Sequence, residues 1–209
     1  MPVGPSQEPL VTLLLIAVTC AVSIPAFSNR KLLADMLFWP PAIGRGQWHR
    51  FVTHGFVHAD GAHLLFNMVT LYFFGRAMEP FFTRYIGAPG YALFYVSAIV
   101  VAMLPSWLRH ARDQNYRSLG ASGAVSAVLF AYILLAPWSL LFVFFVPLPA
   151  IVFAALYVGY SVYASRRGAD GINHSAHLWG GGYGVLFALV MEPGLAGHFL
   201  RTIASPLAS

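Results

Sequence analysis

Four polar side chains stand in stretches otherwise oily enough to lie in a bilayer, and their types suit acyl transfer: Ser122, His177, His63 and Asn67. Burying such groups in lipid costs several kcal/mol unless they are paired or functional. Ser122 is the one hydroxyl of "LGASGAV", residues 119–125. At the first turn of a helix it meets unsatisfied N–H groups and the positive end of the dipole, which favour a developing negative charge. Gly120 and Gly123 beside it let a substrate backbone come close. A serine in an apolar run also bonds back to a helix carbonyl, and Gly-x-Ser-Gly is a small-residue packing patch, so the residue type alone leaves both readings open. His177 shares its helical face with Gly180 and Gly184, at i+3 and i+7, and Gly123 and Ala127 make a matching small face beside Ser122. If those faces meet, the imidazole reaches the hydroxyl, giving a nucleophile and its general base. His63 and Asn67 lie one turn apart on one face, as oxyanion donors or as an interhelical polar clamp. No span carries a carboxylate in its middle, since Glu79 ends the second span and Asp60, Asp113 and Asp170 lie in loops. The arrangement expected is therefore a dyad and not a Ser-His-Asp triad.

The elements that must position these groups are membrane helices. Of 209 residues, 58% are hydrophobic and only 9% charged, a balance that implies a multi-spanning membrane protein. The formal charge of +5 comes from Lys and Arg between apolar runs, where they act as interfacial anchors, so no nucleic-acid partner is inferred. Cys20 is the single cysteine and excludes an intramolecular disulfide. With roughly 20 residues needed to cross the hydrocarbon core, six spans are expected at about 8–27, 61–80, 88–108, 119–136, 138–163 and 173–191. No basic residue precedes the first run, which reads as a retained helix and not a cleaved signal. The connection containing "FWPPAIGRGQWHRF" is expected to lie partly in the interface, Pro147 and Pro149 to bend the fifth span, and 192–209 to be a short tail. The whole chain, 1–209, reads as one membrane domain without repeats.

Motif order as well as content resembles the rhomboid intramembrane serine proteases, from the long first loop to the sixth span. The resemblance implies an all-α six-helix bundle whose active site opens to water below the membrane surface. It implies Ser122 in "GASG" as nucleophile and His177 in "AHLWGGGYG" as base. His63 and Asn67 in "HLLFN", with the Ser122 backbone amide, correspond to the oxyanion donors. His58 matches a structural loop histidine, and Gly75 and Glu79 match a Gly-x-x-x-Glu whose carboxylate binds loop amides. Two departures stand out. The family's adjacent Trp-Arg reads "WHRF" here, with Arg50 retained. The position one turn after the nucleophile, commonly an aromatic that supports the base, is Ser126, expected to bond His177 or to leave it looser.

The expected activity is cleavage of peptide bonds in or near the transmembrane segments of single-span or multi-span membrane proteins within the bilayer, with no cofactor and no metal. The fifth span and the loop 164–172 are the expected gate and cap. The alternative is an inactive relative that binds or clears membrane proteins, although such relatives typically lack the serine or the histidine. Other intramembrane chemistries fit less well: "HGFVH" has Gly55 where a zinc protease needs Glu, and no membrane-buried aspartate pair exists. The family orientation, in the cell membrane, puts the amino terminus in the cytoplasm and the site on the non-cytoplasmic side. Nine of the twelve basic residues then face outward (Arg30, Lys31, Arg45, Arg50, Arg109, Arg112, Arg117, Arg166 and Arg167), opposite to the positive-inside rule.

Overall fold

The computed structural model describes residues 8–143, 145–167 and 171–205, with backbone only at 167. The chain begins with α1, Leu10–Ser28, whose N-cap is Pro9 and offers no capping side chain. First-turn amides in an apolar setting need an acceptor, and Glu79 supplies it: its two carboxylate oxygens accept from Val11 N–H at 2.9 Å and Thr12 N–H at 2.8 Å. Glu79 thus binds the first turn of a helix, where loop amides were expected. The long connection folds into short helices α2 (Arg30–Met36), α3 (Pro40–Ile43) and α4 (Arg50–Thr53), then a 3-10 turn at His54–Phe56. It is anchored from within by Phe38, Ile43 and Phe51 packing on Ala102, Met103 and Ala176. Buried Arg50 donates to Gln47 Oε1 and to the carbonyls of Ala34 and Leu37, all within 2.8 Å.

Helix α5, Gly61–Arg109, runs through 49 residues but is broken at Gly87, whose φ of 69° lies outside the helical region. Phe82 and Phe94 have ring centroids 4.4 Å apart. In a straight helix twelve residues would span roughly 18 Å, so the chain folds back at Gly87 and forms two packed segments, in keeping with separate runs at 61–80 and 88–108. Helix α6, Ser122–Leu135, is the central element, buried along most of its 14 residues. At 1.5 Å per residue it is about 21 Å long, shorter than a roughly 30 Å hydrocarbon core.

The expected fifth span is corrected at its start. Two strands pair antiparallel, β1 (Leu140–Val143) on β2 (Val146–Pro149), and only from Ala150 does α7, Ala150–Arg167, begin. Pro147 and Pro149 explain this, because each lacks the N–H a helix needs and pushes the residue before it to extended backbone. The first amides of α7 find carbonyls upstream of β1, Ala150 N–H to Ser139 at 2.9 Å and Ile151 N–H to Pro137 at 2.8 Å. Helix α8, His174–Met191, follows, capped by the Asn173 side chain on Ala176 N–H. The expected tail holds a further helix, α9, Gly194–Ala204, bent by 112° from α8; residues 206–209 lie outside the described residues. It closes the end of α6 through His198 Nε2–H to Leu135 O and Trp138 Nε1–H to Thr202 O.

Among the described residues, α1 and α5 are long and apolar enough to cross a membrane, as are α8 and α9 if the bent pair is one span. Their outer faces expose Leu14, Phe66, Phe73, Leu93, Leu186 and Val190, apolar surface that suits lipid contact. This is an integral membrane protein.

Candidate active site

Helices α6 and α8 meet along their small faces. A Cβ on Gly180 would collide with the carbonyl of Gly123, and one on Gly184 with the carbonyl of Ala127. The backbones therefore touch, as the Gly-rich pattern anticipates, and this carries His177 to the start of α6. Its Nε2 lies 2.7 Å from Ser122 Oγ, a hydrogen bond. Ser122 is the first residue of α6, where the helix's own carbonyls leave the N–H groups without acceptors.

The strand of chain entering α6 is held on both sides. Phe38 and Ser118 exchange backbone hydrogen bonds at 2.9 and 3.2 Å, which ties the first loop to this entry. Gly120 N–H donates to His54 O, and Ala121 N–H donates to His58 Nε2 at 3.2 Å. Gly120 has φ of 110°, and a Cβ there would sit 2.8 Å from the His63 ring, so both backbone and space call for glycine.

His58 reads its tautomer from its partners. Ser23 Oγ spends its one proton on Phe56 O, so at 2.8 Å from His58 Nδ1 it accepts the ring proton, leaving Nε2 free to accept from Ala121 N–H. Burial, with the neighbouring His63 ring second, holds the His58 pKa down at about 4, and full burial does the same for His54. Both rings are neutral at physiological pH, and His58 supports the loop structurally.

His63 and Asn67 stand one turn apart on α5. Asp60 caps this helix by accepting from His63 N–H, and Asn67 Nδ2–H donates to His63 O at 2.9 Å. Together with Gly120, Ser122, Gly123 and His177 they line a cavity of about 1170 Å³. Gly180 and Gly184 lie outside it, in the helix contact.

Three neighbours of this site carry no local signal in the sequence. Asn173, at the N-terminus of α8, donates to Tyr116 Oη at 2.9 Å and Ser106 Oγ at 3.1 Å, fixing the base-bearing helix against α5 and the loop before Ser118. His174 stands edge-on to His177, centroids 5.9 Å apart. Tyr157, on α7, lies nearly parallel to the His177 ring, 6.1 Å away at 22°, and Ser126 hydrogen-bonds its phenol at 3.2 Å. Ser126, expected to bond His177 or to leave it looser, thus engages a tyrosine from another helix.

The Rhomboid domain model matches residues 45–193. The chain is 34% identical over 166 residues to RHOMBOID-like protein 12, mitochondrial, of Arabidopsis thaliana, covering 74% of this chain and 49% of that protein. It is 27% identical to the putative rhomboid protease YdcA of Bacillus subtilis, over 53% of each chain. It is 33% identical to the rhomboid protease GluP of the same organism, over 45% of this chain and 17% of that one. The chain thus spans about half the length of the first two relatives. With the domain match covering most of its length, this chain belongs to the rhomboid family.

Proposed function

We propose that this protein is an intramembrane serine endopeptidase working through a Ser122–His177 dyad. One observation carries the reading: the 2.7 Å contact between Ser122 Oγ and His177 Nε2, at the half-buried start of a helix and on a cavity shared with His63 and Asn67. In this reading α1, the two segments of α5, α6, α7 and α8 are six membrane crossings of one domain, and the shortness of α6 sets its first residue below the membrane surface. His177 takes the hydroxyl proton as Ser122 attacks the scissile carbonyl, and returns it to the leaving amine. His63, Asn67 and the Ser122 amide stabilise the oxyanion, after which water hydrolyses the acyl-enzyme. Substrates are membrane proteins whose helix unwinds locally, since an intact helix keeps its carbonyls bonded and shielded. Helix α7 gates entry, and the connection that follows it, shorter than the expected loop 164–172 because α7 continues to Arg167, caps it; residues 168–170 lie outside the described residues.

The test is covalent labelling of detergent-purified protein by a fluorophosphonate probe, which needs no known substrate. Wild type is expected to label, and Ser122→Ala and His177→Ala to lose labelling while remaining folded. A folded wild type that does not label would favour an inactive relative that binds membrane proteins, with Ser122 a packing residue.

A further inference from the structure

The imidazole of a serine–histidine dyad must be held in one plane, because a rotated ring aims its lone pair away from the hydroxyl. The position one turn after the nucleophile, on its own helix, carries only a hydroxyl, Ser126. The aromatic face at His177 comes instead from α7: Tyr157 lies 6.1 Å away and nearly parallel. Tyr157 is itself wedged between Phe130 of α6 and Phe153 of its own helix, with centroids 5.7 and 5.5 Å away. Its phenol is pinned at 3.2 Å by Ser126. Ser126 is buried, with the tyrosine phenol against its hydroxyl. One turn toward the loop, Tyr160 meets the edge of His174 at 5.4 Å, so α7 and α8 share two successive aromatic rungs.

We propose that Tyr157 is the positioning residue of His177, and that the protein thereby ties the alignment of its dyad to the seating of α7. A ring borne on the nucleophile's own helix would stay put when α7 moves; one borne on α7 leaves with it. The inference rests on the proposed protease reading for its catalytic meaning, yet its geometric content can be tested without it. Among the described residues, Ser122, Tyr157 on α7 and His174 on α8 face His177.

Three variants decide the matter. Tyr157→Leu keeps apolar bulk but removes the ring, Tyr157→Phe keeps the ring but drops the phenol, and Tyr157→Ala with Ser126→Tyr moves the ring to α6. Two readouts are compared: the rate of fluorophosphonate labelling as a function of pH, and the titration of the His177 Cε1–H resonance in histidine-labelled protein, assigned by its loss in His177→Gln. Tyr157→Leu is expected to slow labelling about ten-fold or more, displace the acid limb of the pH profile and shift the His177 resonance. Tyr157→Phe should lose no more than about three-fold and keep the profile, and the transplanted ring should recover most of the loss. An unmoved His177 resonance and pH profile in Tyr157→Leu would overturn the proposal, even if thermal stability fell. If wild type does not label, the protease reading fails, while the resonance still shows whether Tyr157 orients the ring.

Discussion

Near the candidate nucleophile, both ring nitrogens of His58 have assigned partners: Ser23 takes the Nδ1 proton and Ala121 donates to Nε2. A second proton on Nε2 would point at an amide already pointing back. This is the geometric side of the depressed pKa, and it fixes a sign. The folded protein holds His58 and His54 neutral down to about pH 4, whereas an unfolded chain protonates histidine near its ordinary 6.5. Stability from these two groups is thus fully present above about pH 6.5 and is lost as pH falls toward about 4, by on the order of a few kcal/mol. Thermal unfolding in detergent across that window should show the wild-type midpoint falling, with a shallower fall in His58→Gln. Equal slopes would mean that His58 is not held neutral. The motif "HGFVH" displays these histidines as residue types, but their roles depend on Ser23 and Ala121, far away in the chain.

At the level of elements, the α6–α8 contact decides whether a dyad exists at all. Gly180 and Gly184 carry the backbone contact with α6 and Gly181 meets the Phe130 ring, while Gly182 on the same helix has open space around its Cβ position. Gly184→Ala should therefore push α8 off Ala127, cost about 1–3 kcal/mol as overpacking and suppress labelling, whereas Gly182→Ala should leave both within error. Matched behaviour of the two variants, read from thermal midpoints and labelling rates, would contradict this packing. The small-residue faces of both helices are legible in the sequence, since their 3–4 residue spacing is local. The pairing of β1 with β2 is not, because an uncharged apolar run looks alike as strand or helix. Only its two prolines hint at the break, and the expected bend understated their effect. Helix α9 was likewise concealed in an expected tail.

Across the whole molecule, the charge distribution and the fold pull in different directions. Outward-facing loops would hold most of the basic residues in the family orientation, yet several of these serve the fold. Arg50 is consumed by three hydrogen bonds within the first loop, and Arg45 and Arg117 lie over the Trp39 ring at 4.9 and 4.1 Å. Under the family orientation in the cell membrane, an impermeant maleimide applied to intact cells in a Cys20→Ser background would label Arg112→Cys and spare Arg84→Cys. The reverse pattern would establish the inverted orientation that the positive-inside rule indicates. By itself the sequence determined that the protein belongs in a bilayer, where its apolar runs lie and which few polar groups those runs must accommodate. These are consequences of local composition, because dry backbone demands long uncharged segments. Tertiary structure alone decided that Glu79 caps α1, that His58 holds the loop before Ser122 and that Tyr157 faces His177 from α7. Each depends on how a helix is rotated and seated against another, a relation between distant parts of the chain that no local pattern encodes.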